Sequence, residues 1–74
     1  MAKVIKSGVL GKKIEEVEMN LLLKNGLIKN GITEVNQIAG LRKHDVYMFF
    51  NFGKRRQELL NEFMKENNIQ FRLF

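Results

Sequence analysis

The 74-residue chain contains neither cysteine nor proline. Without cysteine there are no disulfides and no thiolate metal ligands. A domain this small must then hold through helix packing, through association with a second chain, or through both. Without proline, the punctuation of the chain falls to its six glycines. There is a single histidine, with no second ligand-type residue at metal spacing, so no metal or other cofactor is expected. No Asp/His/Ser or Cys/His arrangement and no phosphate-cradling glycine loop is present, which points away from an enzyme. Long apolar runs are missing too. None approaches the ~18–20 residues needed to cross a bilayer. The N-terminal MAKVIKSGVLGKK is broken by Lys6, Ser7 and Gly8 where a signal peptide would be continuous. These absences lead us to expect one cytoplasmic domain with no membrane partner and no room for a small-molecule effector.

What the chain does have is positive charge. Thirteen Lys and Arg against eight Asp and Glu give a formal charge of +5, and an excess of this size in a small domain favours a polyanionic partner, nucleic acid first. The charge is unevenly spread. Acidic residues gather at Glu15, Glu16 and Glu18 and again at Glu58, Glu62 and Glu66, whereas residues 41–57 carry Arg42, Lys43, Lys54, Arg55 and Arg56 against Asp45 alone.

The apolar pattern predicts a mainly α domain of about four helices with short terminal strands. Ile14, Val17, Leu21 and Leu22 recur at helical spacing and predict a first helix over about 12–25, closed by Gly26. Thr33 caps a second over 33–39, which Gly40 breaks. A third is expected over 42–52, with Val46, Phe49 and Phe50 inward, and a fourth over 54–67 on Leu59, Leu60, Phe63 and Met64. Residues 3–6 and 69–74 alternate as strands do.

The interval 32–51 meets the demands of a helix-turn-helix. Val35 faces the second helix of the pair, Ala39 precedes the turn, Gly40 makes it, and Leu41, Val46 and Phe49 dock the second helix. With those positions spent on packing, Arg42, Lys43, His44, Asp45, Tyr47, Met48 and Asn51 are left for a major groove or its phosphates. An outward Tyr47 needs a polar partner for its hydroxyl, and a phosphate serves. The aromatics Tyr47, Phe49, Phe50 and Phe52 could also stack on bases, but at this spacing Phe49, Phe50 and Phe52 are expected in the core. Lys54, Arg55 and Arg56 form a short basic run that opposes the dipole of the helix it begins, which favours phosphate contact.

From Lys12 to about Leu60 the sequence resembles the DNA-binding domain of tetracycline-repressor (TetR)-type regulators. IEEVEMNLLLKNGL is similar to the first helix of that family, GITEVNQIAGL to its second helix and turn, LRKHDVYMFF to its recognition helix, and KRRQELL to the start of its fourth. The resemblance implies that Arg42, Lys43, His44 and Asp45 lie near base edges and that Tyr47 and Lys54 contact phosphates, with Thr33 close to the backbone. It also has departures: Asn36 stands where alanine is usual, Arg42 replaces a serine cap, and the ligand-binding domain is missing.

The expectation is a small sequence-specific regulator of double-stranded DNA, a repressor acting as a homodimer on an inverted repeat. Its dimer interface is expected along Ile69, Phe71, Leu73 and Phe74, too apolar for a free tail. Two alternatives stand beside it. One is a phage- or plasmid-type interaction protein that inhibits a host protein. The other is an accessory factor that binds nucleic acid without sequence preference.

Overall fold

The computed structural model describes residues 8–72. Two short 3-10 turns, Gly8–Gly11 and Ile14–Glu16, lead into four α-helices: α1 (Leu21–Lys29), α2 (Val35–Ala39), α3 (Lys43–Tyr47) and α4 (Lys54–Glu66). Helix α1 packs on α4 and on the turn Ile14–Glu16, while α2 packs on the turn Gly8–Gly11. Ile14, Leu23, Leu27, Val35, Ile38 and Leu60 are completely enclosed. Val17, Ile32, Val46, Phe52, Leu59, Phe63, Met64 and Ile69 complete the core. No helix among the described residues is long and apolar enough to cross a membrane.

The first helix begins nine residues later than the periodicity predicts. Ile14 N–H donates to the Thr33 carbonyl at 2.8 Å and Val35 N–H to the Lys12 carbonyl at 3.0 Å, an isolated antiparallel bridge. Those backbone groups are therefore unavailable to a helix through residues 12–20. Asn20 then starts α1 by accepting the Leu22 N–H on its side chain at 2.8 Å, the ordinary chemistry of an N-cap. The shift rotates the buried face. Ile14 and Val17 are in the core as expected, but Leu21 and Leu22 are exposed, and Leu23 and Leu27 take their place.

Gly26 accordingly lies inside α1 and not at its end. The end is built by Asn30, Gly31 and Ile32. Gly31 takes a φ of +85°, its N–H bonds the Ile28 carbonyl, and Ile32 N–H bonds the Leu27 carbonyl at 2.9 Å, a Schellman closure. Helix α4 ends the same way. Asn68 takes a φ of +56°, its N–H faces the Lys65 carbonyl, and Ile69 N–H bonds Met64 at 2.8 Å. In both closures the preceding asparagine, Asn30 or Asn67, donates its side-chain amide to the carbonyl four residues back. In both, the isoleucine that comes next is buried.

The third helix stops at Tyr47 instead of Phe52. Phe50 N–H donates to the Asn30 side-chain oxygen at 2.6 Å and the Phe50 carbonyl accepts from the Asn30 amide at 3.0 Å. Asn51 turns left-handed at φ 54°. Its carbonyl accepts from Arg56 Nη1 at 2.9 Å. The backbone groups that would extend the helix are thus committed elsewhere. Phe50 is exposed as a result, while Phe52 is buried and Phe49 half-buried, their rings edge-to-face with centroids 5.2 Å apart. The fourth helix matches its prediction to within a residue.

The expected strand over 3–6 lies outside the described residues, as do Leu73 and Phe74. The strand over 69–74 is not formed where it can be seen: residues 69–72 are irregular chain. They run back across the core, with Ile69 buried and Arg72 N–H bonded to the Leu41 carbonyl at 2.7 Å.

Candidate nucleic-acid interface

Helix α3 begins at Arg42, whose extended backbone serves as N-cap. The Asp45 carboxylate reaches back one turn to accept the Arg42 N–H at 2.9 Å, and the Arg42 Nε lies 3.7 Å from the same carboxylate. The bond from the Arg42 backbone holds the Asp45 carboxyl below its ordinary value of 3.8, with the Arg42 and His44 charges adding to the effect. Gln37 does the equivalent at α2, its side-chain oxygen accepting the N–H of both Thr33 and Glu34 at 2.8 Å. Glu16 does so at the turn Ile14–Glu16, accepting from Lys13 N–H at 3.1 Å. Each is half of a capping box.

The returning tail decides what surrounds α3. Because Arg72 is tied to Leu41, Phe71 and Arg72 share one surface groove with Arg42, Lys43 and His44. Three permanent cations and a histidine thus surround a half-buried aromatic ring, and the nearby carboxylate of Asp45 is engaged by Arg42. Beside it, Lys43 and Tyr47 line a second groove with Val46, Gln57 and Asn61. This joins the start of α3 to the flank of α4 through donors able to reach phosphate or sugar oxygens. Arg72 was not among the residues expected to touch DNA. The alternation of the tail placed it on the polar side of a strand, and only its bond to Leu41 brings it to α3.

The other expected contacts fall in three groups. Tyr47 and Met48 are outward, as predicted, at the end of α3. Lys54 and Arg55 occupy the exposed first turn of α4, where Gly53 offers no side-chain cap and no acid precedes Glu58. Arg55 Nη1 lies 3.6 Å from Glu58 across a solvated pair of small energetic weight. Asp45, Asn51 and Thr33 have structural duties. Asp45 caps its own helix. Asn51 supplies the left-handed turn. Thr33 is not the N-cap of α2, which is Glu34. Its carbonyl accepts the Ile14 N–H, and it lines a different groove with Lys13, Glu15, Ile28 and Glu34.

The expected dimer contacts change most. Ile69 is a core residue of its own chain, and Phe71 packs half-buried against that core. Neither belongs to an exposed strand that a second copy could extend.

Arg56, the third residue of the basic run expected to favour phosphate, acts as a clamp within the fold. Its Nε donates to the Leu22 carbonyl at 2.8 Å and its Nη1 to Asn51, so its chain crosses α1 directly over Gly26. The absence of a Cβ at position 26 was the available signal, and the periodicity misread it as a helix end.

No model of a known protein family matches the chain, and no curated protein matches it in sequence.

Proposed function

We propose that this protein binds double-stranded DNA as a small regulator, presenting the start of α3 and the first turn of α4 to the duplex. The observation that carries the reading is the convergence of Arg42, Lys43, His44 and Arg72 on one surface. Cations brought to one groove from the start of α3 and from the tail favour a polyanionic partner. Tyr47, Gln57 and Asn61 beside them add donors that could reach sugar or base edges. Helix α3 has five residues, about 7.5 Å at the usual rise, so it offers one turn to a groove and the flanking segments supply the rest.

One copy makes few phosphate contacts, and sequence-specific binding by such modules commonly pairs two on an inverted repeat. The regulator we propose acts in that way, without Ile69 in the pairing surface.

The test is selection from a random duplex pool at near-physiological salt, repeated with Arg42→Ala/Lys43→Ala. A two-fold repeat recovered by the natural chain and lost by the double variant supports the proposal. Equal loss on every sequence moves the reading to an accessory factor without sequence preference. Absence of duplex binding favours the inhibitor of a host protein.

A further inference from the structure

The turn between α3 and α4 presents its aromatic residue in a way the core does not require. Phe50 is 75% exposed, and Tyr47 and Met48 beside it are 68% and 72% exposed. Three large apolar side chains facing water within four positions are unusual for a soluble surface, where apolar patches mark contact sites. The backbone beneath them is fixed. Asn30, at the end of α1, grips both the N–H and the carbonyl of Phe50, and Arg56 holds the carbonyl of the left-handed Asn51. A ring held out on so constrained a turn gives up little conformational freedom when it inserts into something.

The surrounding charge indicates what that is. Lys54 and Arg55 come within five positions after it, Lys43 and His44 within seven before it, and Asp45 is committed to Arg42. An apolar projection carried on a stretch of chain rich in basic residues is complementary to a base step flanked by its phosphates. Resting on the DNA-binding reading above, we propose that Phe50, with Met48 at its side, wedges between stacked base pairs and kinks the duplex.

The wedge fixes the kind of site the protein prefers. Pyrimidine–purine steps unstack most readily, so TA or CA steps should lie where Phe50 enters, at positions no polar side chain reads.

The experiment uses the full chain and a duplex of about 30 base pairs with donor and acceptor dyes at its ends and 2-aminopurine in a central TA step. The natural protein should raise both end-to-end energy transfer and 2-aminopurine fluorescence. Phe50→Ala keeps the Asn30 grip, which is to the backbone, and should fold, bind the duplex more weakly, and lose both signals when the duplex is saturated at low salt. Met48→Ala should reduce them. Bending by Phe50→Ala equal to that of the natural chain would overturn the wedge, and so would binding by the natural chain with neither signal. A natural chain that does not bind the duplex at all removes the DNA reading itself, a result the two variants cannot produce.

Discussion

A methyl group at position 26 would sit 2.6 Å from Arg56 Cδ and 3.0 Å from Phe52 Cδ1. The Arg56 side chain cannot simply swing aside, since two hydrogen bonds hold it there. Gly26→Ala should therefore cost about 1–3 kcal/mol, as overpacking does, and lower the urea midpoint clearly. Gly40 has the opposite character. Its φ is −92°, and an added Cβ meets only Gln37 O at 3.6 Å, so Gly40→Ala should leave stability unchanged or raise it by about 0.4–1 kcal/mol. The two helix closures give a second contrast. Gly31→Ala places a side chain on a φ of +85° and should destabilise, whereas Asn68→Gly relieves a φ of +56° and should stabilise. Thermal melts of the pair read the two signs directly. Asp45 supplies a pH dependence. Its folded value lies below 3.8 because it accepts the Arg42 N–H, so its contribution is present above the unfolded value and is lost as pH falls through the folded one. The difference in stability between the natural chain and Asp45→Asn should be flat down to about pH 5 and shrink below it.

Among the elements, the tail is the one whose described part packs on its own chain. Truncation after Asn68 removes Ile69 from the core and the Arg72–Leu41 bond from the start of α3. Loss of a buried aliphatic of this size costs about 2–5 kcal/mol, so the shortened chain should melt well below the full one, with the loss visible by circular dichroism before any change in association state. A shortened chain with unchanged melting would show that the tail does not hold the fold. The helices themselves divide by how local their causes are. Helix α4 was legible because Leu59, Leu60, Phe63 and Met64 mark its buried face within its own sequence, and Asn67 and Asn68 mark its end. Helices α1 and α3 were misplaced because their limits are set at a distance. Thr33–Val35 captures residues 12–14, and Asn30 and Arg56 capture Phe50 and Asn51. Periodicity reports burial along a segment but cannot report a hydrogen bond made to another part of the chain. The candidate site divides the same way. Arg42, Lys43, His44 and Tyr47 could be placed on the surface from their own helix, whereas Arg72 joins them through the course of the tail.

For the whole molecule, charge is the property that a binding measurement reads first. With a formal charge of +5, duplex affinity should fall linearly with the logarithm of salt concentration, and removing Arg42 and Lys43 together should lower the slope by about 1.8 if both neutralise phosphates. Arg56→Ala offers the matching control. It removes one cation from the same stretch of sequence, but one whose side chain is held against Leu22 and Asn51 by two hydrogen bonds, so stability should fall while the salt slope of the folded protein changes little. Arg56 also carries a consequence for the history of the sequence. Because its side chain runs through the space that a Cβ at position 26 would fill, the two positions are physically coupled. Descendants that keep the long clamp should favour glycine. Any lineage that admits a side chain at position 26 should show a short residue at position 56 and another way of holding the turn that carries Phe50, a correlated pair 30 positions apart that an alignment of relatives would reveal.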